Sequence, residues 1–192
     1  PLYEIALRLV GSEMCIRDSL WIIVEDIVIE KLKSTIVRPL KGFKMAPFYG
    51  CYLVWPTSAL GFDDNPARED SLERVIEAVG AEVVDFPGKT LCCGFPILTI
   101  NETNSMNMVA NHTIDAKERG ADAMVTPCPL CHLNLDGFQP KAAAARNTKI
   151  DLPILHLPEL LGLAMGLDPK KLRVNKHIMS TKKLLSQLAV AP

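Results

Sequence analysis

Apolar and polar positions in this chain fall into alternating blocks. Four short apolar runs, Lys44 to Tyr49, Ala81 to Phe86, Ala123 to Thr126 and Leu152 to His156, have strand length and end in turn-forming or chemically active residues. Helical spacing occupies the intervals between them. Arg68 to Val79 sets Leu72, Val75, Ile76 and Val79 on one face, and Thr103 to Arg119 is a second such segment. Gly80 and Gly120 close these segments where a helix commonly turns left-handed. A further helix is expected from the Cys128-Pro-Leu-Cys131 step, followed by another through the alanine-rich Ala142 to Ala145. Strands alternating with helices predict parallel βαβ units, hence an α/β layered domain with binding residues beyond the carboxyl ends of the strands.

Four segments divide the chain. Residues 1–19 lack an initial Met and resemble translated adapter sequence of the kind found at the ends of gene fragments, so they are expected to be non-native, with Cys15 outside any ligand set. Residues 20–43 read as a linker, residues 44–170 as the main domain, and residues 171–192, beyond the turn from Asp168 to Lys171, as a helical tail. The charged stretch from Phe62 to Asp70 reads as a solvated loop that supplies an N-cap to the following helix.

Composition narrows the function more than the fold. A chain of 192 residues, 48% hydrophobic, is long enough to bury a core without disulfide staples. Its 21 basic and 22 acidic residues leave no charge asymmetry and no basic tract interleaved with aromatics, so nucleic acid is not an expected partner. No apolar run approaches the roughly 18 to 20 residues of a membrane span, and the start has no secretory pattern. A cytoplasmic setting with reduced thiols is expected.

Those thiols are the candidate chemistry. Cys51, the adjacent pair Cys92 and Cys93, and Cys128 with Cys131 each follow a predicted strand, which brings all five to one end of the sheet. Five thiolates exceed the four ligands of a structural zinc ion and suit an iron-sulfur cluster. Gly94, after the adjacent pair, lets backbone approach a cluster closely. Two cysteines three residues apart at a helix start share a face, where free amides favour thiolate. A zinc site using four of the five and a thioredoxin-like dithiol at Cys128 and Cys131 are the competing readings.

The segments F-Y-G-C ending at Cys51, K-T-L-C-C-G-F-P around Cys92 and Cys93, T-P-C-P-L-C-H around Cys128 and Cys131, and I-L-H-L-P-E-L-L-G around His156 resemble the cysteine-rich CCG domain. Within that family the span from about Leu20 to Leu185 is most similar to the carboxyl-terminal half of the B-type subunit of heterodisulfide reductase. The cysteine pattern is also similar to that of the iron-sulfur subunits of glycolate and lactate oxidation systems and of an unusual class of succinate dehydrogenase.

The resemblance implies that Cys51, Cys92, Cys93, Cys128 and Cys131 hold a non-cubane [4Fe-4S] cluster. It further implies electron donation by a ferredoxin-like iron-sulfur subunit and a flavoprotein subunit, and a disulfide or other small-molecule acceptor. In the family two such domains face each other across the substrate disulfide. Residues 20–43 would then be the linker from an amino-terminal repeat absent from this sequence, and the chain alone is expected to be an incomplete oxidoreductase.

His132, directly after Cys131, and His156, at the end of the fourth predicted strand, are the weaker candidates, as proton sources or hydrogen-bond donors to sulfur. His112 and His177 read as surface or packing residues, Met106 and Met108 as helix packing, and Phe95 and Pro96 as a shield over the site.

Overall fold

In the computed structural model, which describes residues 17–27, 29–57 and 65–190, four strands make one parallel sheet. They are β1 (Lys44–Pro47), β2 (Glu82–Val83), β3 (Ala123–Thr126) and β4 (Ile154–His156), in the order β2-β1-β3-β4. Met45 pairs with Val83 on one side and Ala123 on the other, and Val125 pairs with Leu155. The α/β layered architecture predicted from the sequence is the one observed. Strand β3 is buried at every position, and β1 at all but its first. Helices on both faces require this, and it explains why these strands read as continuous apolar runs.

Eight α-helices flank the sheet among the described residues: α1 (Arg17–Trp21), α2 (Ile29–Ser34), α3 (Ser71–Ala78), α4 (Glu102–Glu118), α5 (Pro129–Gly137), α6 (Gln139–Ala145), α7 (Leu157–Ala164) and α8 (Lys182–Val190). A π-helical turn, Ile22–Asp26, continues α1. The Asn101 side chain caps α4 by accepting from the Asn104 amide at 3.0 Å. Gly80 and Gly120 take the left-handed conformation expected of them, with φ of +87° and +92°.

Two differences from the expected elements have local causes. Strand β2 is shorter than the run from Ala81 to Phe86, because it is an edge strand and Pro87 opens a 3-10 turn, Pro87–Thr90. Helix α3 begins at Ser71 because Pro66–Arg68 forms a 3-10 turn ahead of it. Asp70 stands at its N-cap position without a side-chain capping bond, and residues 62–64 of the charged stretch lie outside the described residues, as does Cys15.

The segment read as a linker is packed. Leu20, Trp21, Val24, Ile29, Leu32, Leu40 and Phe43 all belong to the core. In the tail, Leu184 and Leu188 of α8 are buried against the same core.

The strand order fixes where a site can form. After β1 the chain leaves toward β2, and after β3 it leaves the other way toward β4. Neighbouring strands whose connections diverge open a crevice at their carboxyl ends. Cys51 follows β1 and Cys128 follows β3, so both lie at that crevice.

Candidate metal centre

The cysteine loops are tied together by backbone. At the end of β1, the Phe48 amide donates to Val125 O at 2.8 Å, and the amides of Tyr49 and Gly50 both donate to Lys89 O, at 2.8 and 3.2 Å. The loop carrying Cys51 is thereby stitched to the turn that leads into Cys92. Gly50 has φ of +70°, and a Cβ there would lie 2.7 Å from Cys131 Sγ. Only glycine lets the first loop pass this close to the third.

The Cys92-Cys93 loop is held at both carbonyls. His112 Nε2 lies 2.9 Å from Cys92 O, and Asn134 Nδ2 donates to Cys93 O at 2.8 Å. Gly94 has φ of +93° and sits so close to Ser105 that a Cβ would come within 3.0 Å of its carbonyl oxygen. Its amide donates to Cys92 Sγ at 3.4 Å. In the third loop the Cys128 amide donates to Thr126 Oγ1 at 3.2 Å, Cys128 stands at the N-cap of α5, and Pro129 occupies the first turn, where its missing amide costs nothing.

A cavity of about 350 Å³ lies between these loops, lined by Cys51, Cys93, Cys128 and Cys131 together with Tyr52, Phe95, Pro96 and Leu130. Four of the five predicted cysteines share its wall. Cys92 adjoins it through Cys51, with which its thiol is hydrogen-bonded. Phe95 and Pro96 occupy the shielding position expected of them. His132 and His156 are not on the cavity wall. His156 instead sets Nε2 3.0 Å from Pro127 O, bracing the residue ahead of Cys128, and His132 sets Nε2 3.2 Å from Ile154 O.

The thiols divide by electrostatics. Hydrogen bonding from Cys131, helped by the Cys131 and Leu130 amides, lowers Cys128 to about 6 against the opposing effect of burial. Hydrogen bonding from Cys131 also lowers Cys93. Cys131, the donor to Cys128 and Cys93, is raised by those two bonds and by burial. Burial, reinforced by the neighbouring Cys92, pushes Cys51 up to about 11. Two thiols that favour the anion beside two that resist it make a donor set in which a soft metal replaces shared protons. All five cysteines are free thiols. The cavity wall, sulfur and apolar carbon without imidazole or carboxylate, fits a thiolate-ligated group rather than a hard cation.

Several supporting residues have roles beyond those expected from the sequence, which read His112 as a surface or packing residue and Tyr49 as packing. His112 is only 6% exposed, packed against Phe48 at 5.1 Å between ring centroids, and burial lowers its pKa so that it stays neutral. Tyr49 donates its hydroxyl to Glu73 and accepts from the Leu72 amide at 2.9 Å. Lys89 reaches Glu73 at 2.9 Å and Asp85 at 2.6 Å, completing a polar brace beneath the first two loops. Glu159 accepts from the His156 amide at 2.8 Å and pairs with His177 at 2.8 Å. The glutamate three residues after His156 was the available signal for the first of these contacts.

Residues 45–136 match the family model of the CCG cysteine-rich domain. The chain is 37% identical over 165 residues to the 8-methylmenaquinol:fumarate reductase membrane anchor subunit of Wolinella succinogenes, covering 86% of this chain and 57% of that protein. It is 34% identical to the B-type subunit of the ferredoxin/F420H2-dependent CoB-CoM heterodisulfide reductase of Methanosarcina acetivorans, covering 83% and 53%. It is 31% identical to a protein of Archaeoglobus profundus described as like the B-type heterodisulfide reductase subunit, covering 88% and 58%. It therefore spans little more than half the length of these curated relatives. Among solved structures, a hypothetical protein from Helicobacter pylori shares the fold, with TM-score 0.60 and 16% identity over 80% of this chain and 28% of that one. With the cysteine-bearing loops at the sheet's crevice and these matches together, the chain carries a cysteine-rich domain of the CCG family and is related to the B-type subunits of heterodisulfide reductase.

Proposed function

We propose that Cys51, Cys92, Cys93, Cys128 and Cys131 hold a [4Fe-4S] cluster of the non-cubane type. On this reading the chain is part of the iron-sulfur subunit of a heterodisulfide-reductase-like redox complex, acting in the cytoplasm. The observation that carries the proposal is the convergence of three separate loops on one sulfur-lined cavity. When bound, such a cluster supplies one-electron chemistry and an iron site for a substrate sulfur.

The protein's own residues do the rest. The Lys89, Cys92 and Cys93 carbonyls fix the loops, while Phe95, Pro96 and Leu130 thin the water around the sulfurs. Electrons would come from a ferredoxin-like iron-sulfur subunit and a flavoprotein subunit, and would leave to a disulfide or another small acceptor. Since the chain spans little more than half of its relatives, a second cysteine-rich half on the same polypeptide would complete the disulfide site. The domain from 44 to 170 would carry the cluster, with 20–43 joining it to that half.

A second reading has its own support. The 37% identity to a fumarate reductase subunit favours a quinol and fumarate or succinate system as the wider complex. No helix among the described residues is long and apolar enough to cross a membrane.

Anaerobic reconstitution with iron and sulfide, followed by iron and sulfide counting and EPR, tests the cluster. About four irons and four sulfides per chain are expected, with loss on Cys51→Ser or Cys92→Ser. One zinc and no sulfide would overturn the proposal. A dithiol enzyme using Cys128 and Cys131 alone would stay active in Cys51→Ser.

A further inference from the structure

Beside the cysteine pocket, and outside it, three side chains from distant parts of the chain converge. His132 lies on α5, Glu159 on the first turn of α7, and His177 in the segment ahead of α8. One donor atom from each lies within 4.8 Å of the other two. Glu159 Oε1 is 2.8 Å from His177 Nε2, and Oε2 is 3.8 Å from His132 Nε2. The two imidazoles pack edge to face with centroids 4.8 Å apart.

We propose that His132, Glu159 and His177 form a second metal site, for a divalent imidazole-seeking ion of the zinc type. This goes beyond the cluster reading and uses none of its ligands.

The donor set is two imidazoles and one carboxylate, which suits three-ligand zinc with one position left open. Zinc bonds of roughly 2.0 to 2.1 Å place tetrahedral donors about 3.3 to 3.5 Å apart, inside the spread these atoms already show. Imidazole selects against magnesium and calcium, and no thiol belongs to the group.

The ligands are held before any ion arrives. Glu159 Oε2 accepts from the His156 amide at 2.8 Å. Asp136 accepts from the amides of Ile178 and Met179, at 2.8 and 3.1 Å, and so anchors the residues that follow His177. The side chains of His132, Glu159 and His177 are 21%, 16% and 6% exposed, and His177 Nδ1 is buried without a hydrogen bond. His132 Nε2 also lies 3.2 Å from Ile154 O, a contact that an ion drawn to this nitrogen would replace. An ion shared by all three would join the two imidazoles and the carboxylate in one coordination shell. It would clamp the segment after Val174 onto the helix that carries Cys131.

The test uses the full chain with its iron and sulfide assembled, dialysed against zinc chloride, with metal counting and zinc X-ray absorption. One zinc per chain with a nitrogen and oxygen shell is expected, along with a rise in melting temperature. Glu159→Gln and His177→Ala should each lose at least 90% of that zinc. A shell containing sulfur, zinc retained by both variants, or no zinc in the unsubstituted chain would overturn the proposal and leave an ion pair only. The absorption spectrum of the unsubstituted chain decides even if a variant misfolds. Iron and sulfide are counted on the same uncapped chains, and a control whose thiols are capped with iodoacetamide before dialysis should keep its zinc. Nitrogen- and oxygen-bound zinc in uncapped chains that take up no iron on reconstitution would leave this site standing while the cluster reading fell, and iron without zinc would do the reverse.

Discussion

Replacing Gly50 with Ala should separate the fold from the metal centre. Gly50 has φ of +70°, so any side chain there incurs the left-handed penalty of roughly 1–2 kcal/mol. Gly120, with φ of +92° and nothing within 4 Å of an added Cβ, incurs the same kind of penalty far from the cysteines. Gly120→Ala is therefore the matched control. Each variant should melt lower, by about 2–4 °C for every kcal/mol in a chain of this size.

The two diverge at the site. In Gly50→Ala the new methyl meets Cys131 Sγ at 2.7 Å, and the sulfur must retreat to the 3.4 Å at which ordinary contact begins. Metal-thiolate distances tolerate about 0.2 Å, so that retreat takes Cys131 out of ligand geometry. Anaerobic reconstitution should give wild-type iron, sulfide and EPR for Gly120→Ala, and a depleted or altered signal for Gly50→Ala. A Gly50→Ala chain with wild-type iron content and an unchanged spectrum would refute the placement of Cys131 in the cluster.

Two further outcomes are expected from the packing. Tyr49→Phe leaves the buried Leu72 amide without its acceptor and should cost about 1–3 kcal/mol in urea unfolding with an unchanged slope; a loss under about 0.5 kcal/mol would show that water or Glu73 takes over. The Glu25 carboxyl is held below its usual value by its hydrogen bond from Arg68, an exposed pairing of the kind worth about 0.2–1 kcal/mol. Because the folded value is the lower one, that contribution is present above the unfolded carboxylate pKa of about 4.3 and fades as pH falls through the folded value. The melting difference between wild type and Arg68→Gln should accordingly be steady from about pH 5 to 7 and shrink below about pH 4, while the part due to stacking of Arg68 on Trp21 at 4.1 Å remains. A difference that grows on acidification would contradict the assignment.

Much of the architecture was legible because burial leaves a plain trace. Strand β3 coincides with its predicted run because Ala123 to Thr126 is enclosed on all sides, so no polar residue interrupts it. The run from Ala81 to Phe86 was overread because an apolar residue can face the core without pairing. Phe86 is 1% exposed yet lies outside the sheet. The cysteines were legible as a group because each follows a strand, and parallel topology converts that order into proximity. His177 was not legible. It precedes α8 in a stretch without periodicity, and it reaches Glu159 only because Asp136, some 42 residues earlier, anchors the Ile178 amide. His112 was read as a surface or packing residue, and it packs: its burial comes from Phe48 and from the close approach of Gly88, where an added Cβ would lie 2.5 Å from Nδ1.

The way the loops are held has a consequence for how the centre is loaded. Small metal domains that depend on their ligands for folding collapse when the metal is withdrawn. Here the Cys51 loop hangs on Lys89 O, the Cys92-Cys93 loop on His112 and Asn134, and the Cys128 loop on Thr126, each through hydrogen bonds between protein groups. On the proposed cluster reading, the sheet and these polar braces would hold the cradle whether or not the sulfurs are occupied. A thiolate site preorganised in this way spends little of its binding energy on ordering the chain. Loss of one cysteine then removes a ligand without removing the fold, which makes iron content and melting temperature independent readouts of the same substitution.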